Sequence, residues 1–165
     1  MTWPLVVKPP APLERAPGTI AVFLAGSIEM GAAAPWQDAV EASLAGVAVT
    51  LWNPRRLAWD ASWRQDIDEP LFREQVEWEL DAQERADLCA MYFSPETRAP
   101  ITLLELGLFA QSGKLVVCCP EGFWRRGNVQ VVCRRYGVRV VPDLAALTAA
   151  IAAAATRPPG PAGPA

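Results

Sequence analysis

The stretch DLCAMYFSPETRAPITLLELGLFAQSGKLVVCC, residues 87–119, decides the fold class of this chain. Its apolar run at 87–93 has the length of a buried strand and is followed by a short polar loop. Residues 100–113 predict a helix, because Pro100 stands in the first turn and a glycine follows the last apolar position. The apolar run at 114–119 predicts a second strand. This order indicates a parallel βαβ unit.

The same alternation extends in both directions along the chain. Further strands are predicted at 19–25, 47–52 and 138–141, and further helices at 35–45, 69–86, 128–137 and 143–155. On the second of these helices, the spacing of Leu71, Phe72, Val76 and Leu80 predicts the buried face. The whole pattern predicts an α/β fold with three layers, in which helices cover both faces of a doubly wound, mostly parallel five-stranded sheet. Such sheets are called flavodoxin-like or Rossmann-like.

Length and composition predict one folded domain between two tails. The chain has 165 residues, of which 52% are hydrophobic and 20% are charged, and this balance excludes disorder for most of it. Residues 1–18 and 157–165 are rich in proline and show no usable periodicity, so both are predicted to be tails. The folded domain is expected at 19–156.

Several classes of function are excluded or disfavoured by composition. The net charge of −3 gives no basic footprint for duplex nucleic acid, and no apolar run is long enough to span a membrane. The absence of histidine excludes serine–histidine catalysis and imidazole–zinc sites. We predict no metal site and no cofactor, since dinucleotide and P-loop motifs are both missing. Cys89, Cys118, Cys119 and Cys133 are expected to be buried, reduced thiols of a cytoplasmic protein.

The predicted fold places a ligand beyond the carboxyl ends of the strands. Gly26 and Ser27 follow the first predicted strand, where they form either a tight turn or a close backbone approach to a ligand. The segment WNPRRLAWDASW at 52–63 combines three tryptophans with Arg55 and Asp60. These side chains are suited either to packing and ion pairs or to stacking on a base and contacting a phosphate.

Two acidic residues stand in apolar surroundings. Glu105 lies in the predicted helix ITLLELGLFA, where a carboxylate is costly unless it is paired, hydrogen-bonded or faces a cleft. Asp87 opens an apolar strand, where it either receives the end of the preceding helix or has a functional role. For each residue, the pattern alone leaves both a structural and a functional interpretation open.

Motifs in five stretches carry a family resemblance. They are FLAGSI at 23–28, NPRR at 53–56, FREQVEWEL at 72–80, ADLCAMYFSPETRAPITLLELGLFA at 86–110 and KLVVCCPEGFWRRGNVQVVCRRYG at 114–137. In order and spacing they resemble the nucleoside 2-deoxyribosyltransferase superfamily, and most closely its short bacterial nucleoside 2-deoxyribosyltransferase-like branch.

The resemblance implies a role for each matching position. It implies Glu105 as the nucleophile that attacks the anomeric carbon, and Asp87 as the residue that positions or protonates the departing base. It implies that Gly26 and Ser27 line a sugar or phosphate subsite. The other candidates for substrate binding are Asn53, Arg55, Asp60, Tyr92 and Asn128. It also implies a small-molecule nucleoside or nucleotide substrate and a homo-oligomer, a dimer or higher, with sites completed across the interface.

The chemistry that the resemblance implies needs only carboxyl groups. A carboxylate near the anomeric carbon stabilises or bonds to an oxocarbenium-like centre, and a second acid assists departure of the base. Well-studied transferases also use a tyrosine from the first-strand region, whereas this chain has tyrosines only at Tyr92 and Tyr136. Transfer to a second base and hydrolysis by water are therefore both open. A non-catalytic nucleotide sensor and an NAD glycohydrolase are the alternatives.

Four arginines near the fourth predicted loop form a basic cluster. They are Arg125, Arg126, Arg134 and Arg135. The sequence allows two interpretations, a solvated helix face or attraction of a phosphate-bearing substrate.

Overall fold

The computed structural model describes residues 2–28 and 34–157. Six strands form one sheet, namely β1 (Leu5–Val7), β2 (Ala21–Gly26), β3 (Thr50–Trp52), β4 (Leu88–Tyr92), β5 (Leu115–Cys118) and β6 (Arg139–Val141). The helices are α1 (Trp36–Ser43), α2 (Pro70–Arg85), α3 (Pro100–Phe109), α4 (Arg126–Tyr136) and α5 (Leu144–Ala155). All strand pairs are parallel, in the order β1-β3-β2-β4-β5-β6. The predicted α/β class is confirmed.

Two apolar cores, one on each face of the sheet, hold the three layers together. Helices α2, α3 and α4 pack on one face through residues such as Trp78, Leu106 and Val129. Helices α1 and α5 pack on the other face through residues such as Val40 and Ile151. Strands that are buried on both faces read as continuous apolar runs, which explains why the sequence predicted them so clearly.

The sheet has six strands rather than the expected five, because β1 lies in the segment predicted to be a tail. Three side-chain donors fix the chain that follows it. Trp78 Nε1 donates to the Ala11 carbonyl at 2.8 Å, Trp52 Nε1 to Glu14 at 3.0 Å, and Arg85 to Leu13 at 2.8 Å. A three-residue strand between prolines gives almost no periodic signal, so the proline-rich composition wrongly predicted a tail there. Of the predicted C-terminal tail, residues 158–165 lie outside the described residues.

The buried face of α2 differs from the one predicted. Leu71 and Val76 are exposed, whereas Gln75, Trp78 and Gln83 are buried. The inward face of this helix therefore carries polar side chains, and part of its apolar surface faces outward. The prediction failed because it assumed that the apolar residues decide which face of a helix is buried.

The strand order reverses between β2 and β4, which makes their carboxyl ends the switch point of the sheet. Gly26 ends β2 opposite Tyr92, the last residue of β4. A Cβ atom at Gly26 would lie 2.5 Å from the Tyr92 carbonyl oxygen and 2.6 Å from the Trp36 ring. Only glycine fits this close approach.

Candidate active site

Ser27 connects the switch point to the loop that leads into α3. Its hydroxyl accepts a hydrogen bond from the Ser94 backbone N–H at 3.1 Å and pairs with the Thr97 hydroxyl at 2.7 Å. Its own N–H donates to the Tyr92 carbonyl. The loop ends at Ala99, whose φ of 45° is left-handed, directly before α3 begins. Ser27 therefore shapes this loop, and its predicted contact with a sugar or phosphate stays a prediction.

Asn53 and Arg55 form a second polar group beside α1. Asn53 is fully buried, where its amide donates to Glu41 and its oxygen accepts from the Arg55 N–H at 2.9 Å. Arg55 Nε donates to the Gln37 oxygen at 2.8 Å, and burial lowers the pKa of this arginine. Both predicted ligand contacts are thus side chains that also hold β3 against α1.

The tryptophans of the loop between β3 and α2 contact neighbouring side chains. Trp59 and Trp63 pack edge to face with centroids 5.0 Å apart, and the Arg56 guanidinium lies 5.1 Å from the Trp63 ring. Asp60 is exposed and accepts from the Ser62 N–H at 2.8 Å, and its hydrogen bonds with Ser62 lower its pKa. The geometry here favours turn formation and packing, which was one of the two sequence interpretations.

Glu105 lies between α2 and α3 and is only 7% exposed. Gln83 Nε2, from α2, donates to Glu105 Oε1 at 2.9 Å. The same side-chain amide also donates to the backbone carbonyl of Glu79 at 3.2 Å. The backbone carbonyl of Gln83 accepts from the Cys89 thiol of β4. The carboxyl group is therefore buried without an arginine or lysine ion pair among the described residues.

A second carboxyl group, which the sequence analysis missed, belongs to this site. Glu79 lies one helical turn before Gln83 on α2, and Gln75 Nε2 donates to Glu79 Oε1 at 2.8 Å. Gln75, Glu79 and Gln83 follow one another at intervals of four residues, so they share one face of α2. That spacing is the signal in the sequence, but EQVEWELDAQER at 74–85 is equally typical of a solvated helix face.

Burial raises the pKa values of both carboxyl groups toward neutrality. The pKa of Glu105 rises to about 8, mainly because of burial and also because of the neighbouring Glu79, although the Gln83 hydrogen bond lowers it. Burial raises the pKa of Glu79 to about 7, against the hydrogen bond from Gln75. Two interacting carboxyl groups of this kind titrate together, so that one is ionised while the other holds a proton near neutral pH.

The amide oxygens of the two glutamines strengthen this interpretation. Gln75 Oε1 and Gln83 Oε1 are buried and have no hydrogen-bond partner in the described part of the chain. A buried acceptor without a donor costs about 1–3 kcal/mol. A protonated carboxyl group is a donor, and a polar ligand is another. The space between α2 and α3 therefore holds unused capacity for hydrogen bonding.

Asp87 lies at the opposite end of β4 from the switch point. Its carboxylate accepts from the Ala21 N–H at 2.8 Å and from Arg15 at 3.0 Å. Tyr92 lies five positions further along the chain, which corresponds to about 16 Å of extended strand. It is not among the groups that shift the pKa of Glu105. Its contacts favour a structural role, and the proton-transfer role stays a prediction.

The two remaining candidates lie on different elements. Tyr92 ends β4 beside Gly26, its ring centroid is 5.3 Å from that of Trp36, and burial raises its pKa. Asn128 is exposed in the first turn of α4. The structure thus groups Gly26, Ser27 and Tyr92 at the switch point, and it places Glu105 beside the unpredicted Glu79.

The described residues show neither a group of metal ligands nor a membrane-spanning helix. Within residues 2–28 and 34–157, no three cysteine, aspartate or glutamate side chains are grouped as metal ligands. None of the helices described there is long and apolar enough to cross a membrane. All four cysteines are buried free thiols, as predicted.

The fold is that of a doubly wound α/β domain, and paired carboxyl groups are the constellation that enzymatic cleavage of glycosidic bonds uses. Residues 19–123 match the protein family described as nucleoside 2-deoxyribosyltransferase like, and the chain belongs to this family. Membership supports glycosyl transfer at a general level. No curated protein matches the chain.

Proposed function

We propose that this protein cleaves the N-glycosidic bond of a nucleoside or nucleotide, with Glu105 as the nucleophile and Glu79 as its acid–base partner. The observation that carries the proposal is the pair of carboxyl groups between α2 and α3, each held by a glutamine amide. Their raised pKa values suit a pair in which one member is ionised and the other is protonated near neutral pH.

The reaction would proceed in two balanced steps. Because the pKa of Glu105, about 8, is higher than that of Glu79, about 7, the reaction begins with transfer of the shared proton from Glu105 to Glu79 within the pair. Ionised Glu105 then attacks the anomeric carbon while the bond to the base breaks, and the bonding electrons move to the base nitrogen. Protonated Glu79 transfers its proton to the departing base. Water or a second base then attacks the anomeric carbon, Glu79 takes up the proton, and Glu105 is released. Two displacements give overall retention of configuration.

The glutamines would act as positioning residues in this scheme. The Gln83 amide fixes one oxygen of Glu105, so that the other oxygen is free to point toward a sugar. Gln75 joins Glu79 to the Pro54 carbonyl at 2.9 Å, which connects the pair to the loop that follows β3. Orientation of this kind lowers the entropic part of the barrier.

The direct experiment is an assay of base release with a panel of substrates. The panel contains ribonucleosides, deoxyribonucleosides, their 5′-monophosphates and NAD, each with and without a second base as acceptor. We expect release or exchange of base with the wild type and a loss of about 10⁴-fold for Glu105→Gln. Glu77→Gln is the matched control, because Glu77 lies on the exposed side of α2. Full activity of Glu105→Gln would contradict the proposal.

A nucleotide-binding module without turnover is the second candidate. The observation that favours it is the burial of Glu105, whose side chain is only 7% exposed. Calorimetric binding of a nucleotide, together with no release of base over several hours, would support this candidate over the enzyme. NAD in the panel tests the glycohydrolase alternative, through release of nicotinamide.

We also propose that the chain forms a homodimer through α3. Apolar side chains lie on the outward face of this helix as well as on its buried face, and Ile101, Leu104 and Leu108 are 58%, 59% and 57% exposed. A helix that is apolar all round is normally covered. Light scattering should show a dimer that Leu104→Lys dissociates, whereas Val131→Lys on α4 should leave it intact. A monomeric wild type would refute this assembly.

A further inference from the structure

An exposed tryptophan between two arginines lies at the carboxyl edge of the sheet. Trp124 belongs to the loop between β5 and α4, and it is 48% exposed. The guanidinium carbons of Arg98 and Arg125 lie 5.1 Å and 4.4 Å from the centre of its ring. Arg98 comes from the loop between β4 and α3. One aromatic ring therefore gathers positive charges from two neighbouring loops.

Hydrogen bonds hold this group in place. The Trp124 indole N–H donates to the Arg98 carbonyl at 2.9 Å, which ties the two loops together. Two residues after Trp124, Arg126 Nε donates to the Cys119 carbonyl at 3.2 Å. The indole thus has its donor satisfied by the backbone, and the arginine side chains lie against a fixed ring rather than moving freely in solvent.

In the described part of the chain, the arginines of this group form no ion pair with a carboxylate. Arg15, Arg56 and Arg73 pair with carboxylates, whereas no ion pair among the described residues includes Arg98, Arg125 or Arg126. The carboxylate of Glu96, in the same loop as Arg98, accepts from the Ser94 hydroxyl at 3.3 Å. Unpaired guanidinium groups repel one another, and the repulsion is relieved when an anion binds between them. The chain as a whole is acidic, with a net charge of −3, so this concentration of positive charge is local.

The position of the group relative to Glu105 suggests which anion it binds. Arg98 lies in the loop that leads directly into α3, and Glu105 lies five residues after Pro100, the first residue of that helix. Both loops of the group follow strands at the carboxyl edge of the sheet, where ligands bind in doubly wound folds. Guanidinium groups bind phosphate through paired N–H donors, with geometry that lysine does not provide.

We propose that Arg98, Trp124 and Arg125 form a phosphate subsite, and that the substrate is a nucleoside 5′-monophosphate rather than a free nucleoside. This inference rests on the proposed function, since it assigns the substrate class for the same site. The two guanidinium groups would bind the phosphate oxygens, while the Trp124 ring fixes the plane of each guanidinium.

The test compares each deoxynucleoside 5′-monophosphate with the matching deoxynucleoside. For the wild type we expect kcat/KM to be about 10-fold to 100-fold higher with the monophosphate, as charge-assisted hydrogen bonds provide. The double variant Arg98→Gln/Arg125→Gln should lose this preference and keep its kcat/KM for the nucleoside. Arg134→Gln/Arg135→Gln is the matched control, because it removes the same charge from the other end of α4.

A binding experiment separates failure of this inference from failure of the proposed function. Calorimetry measures the affinity for the monophosphates, the nucleosides and inorganic phosphate, with Arg125→Gln alone as a milder variant. Tighter binding of monophosphates that is lost in the double variant, but not in the control, supports the subsite even if no base is released. Equal affinity for monophosphate and nucleoside, or equal losses in both double variants, would overturn it.

Discussion

Two groups of buried polar residues in this protein have their hydrogen-bonding capacity satisfied to different degrees. At the switch point, the Ser27 hydroxyl and N–H both find partners within the chain. Between α2 and α3, the amide oxygens of Gln75 and Gln83 have none among the described residues, and two carboxyl groups have raised pKa values. Satisfied polar groups shape a fold, whereas buried groups with unmet demands mark a candidate site.

After the loss of Glu105 itself, the largest effect should come from removing the proton on the second carboxyl group. Glu79→Gln is expected to lower kcat/KM for base release by about 10²–10⁴-fold, the usual contribution of a general acid or base. Asp87→Asn, which breaks the contacts with Ala21 and Arg15, should lower the melting temperature instead and leave kcat nearly unchanged. Kinetics and thermal melts on both variants decide whether Glu79 or Asp87 is the proton donor. The reverse pattern would restore Asp87 as the proton donor.

Stability should depend on pH through the same pair. A folded carboxyl group with a raised pKa stabilises the fold below its unfolded pKa of about 4.5, and this contribution is lost as the pH rises through about 8. The free energy of unfolding of the wild type should therefore fall between pH 5 and pH 9. Glu105→Gln should reduce that fall by at least about 1.4 kcal/mol, the value of one pKa unit. Denaturant melts at several pH values measure this. An equal fall in the free energy of unfolding of the wild type and of Glu105→Gln would show that Glu105 is not buried as described.

The pH dependence of kcat/KM should shift in opposite directions in two variants. Glu79→Gln removes a neighbour that raises the pKa of Glu105, so the acidic limb should move to lower pH. Gln83→Met removes the hydrogen bond that lowers this pKa, so the same limb should move to higher pH. Initial rates from pH 5 to pH 9 give both limbs. Shifts of the same sign would contradict the assignment of Glu105 as the nucleophile.

The smallest effect is expected at the switch point. Ser27→Ala leaves the Ser94 N–H and the Thr97 hydroxyl without one acceptor, which should cost about 1–3 kcal/mol of stability. Because the hydroxyl serves the chain itself, base release at temperatures well below the melting point should change by less than about threefold, the equivalent of about 0.7 kcal/mol. A large loss of activity in a stable variant would show that Ser27 also contacts the substrate.

The sequence predicted most of the fold because its signals there are periodic. The apolar runs of the central strands were visible in the sequence. The helix predicted at 143–155 is α5, which Asp143 caps by accepting from the Ala146 N–H at 2.7 Å. Strand β1 was missed because three apolar residues between prolines carry no period. The inward face of α2 was missed because polar residues occupy it, contrary to the usual relation between apolar spacing and burial.

The site was only partly predictable for a related reason. Glu105 was identified because a lone acid stands out in an apolar helix. Glu79 was hidden among many charged residues of α2, and only the tertiary contact with α3 distinguishes it from Glu77. Asp87 stood out in an apolar strand as well, but its partner Arg15 lies 72 residues earlier, which no local pattern reveals.

The most direct test of the central claim is covalent trapping of the nucleophile. A 2-fluoro-2-deoxynucleoside or its 5′-monophosphate slows release of the glycosyl-enzyme, because fluorine destabilises the oxocarbenium-like centre through which the sugar must pass. Mass spectrometry of the intact protein should show the addition of one fluorinated sugar, with loss of the base, and peptide mapping should place it on Glu105. An adduct on another residue would contradict the account. So would a variant that lacks Glu105, forms no adduct and still releases the base.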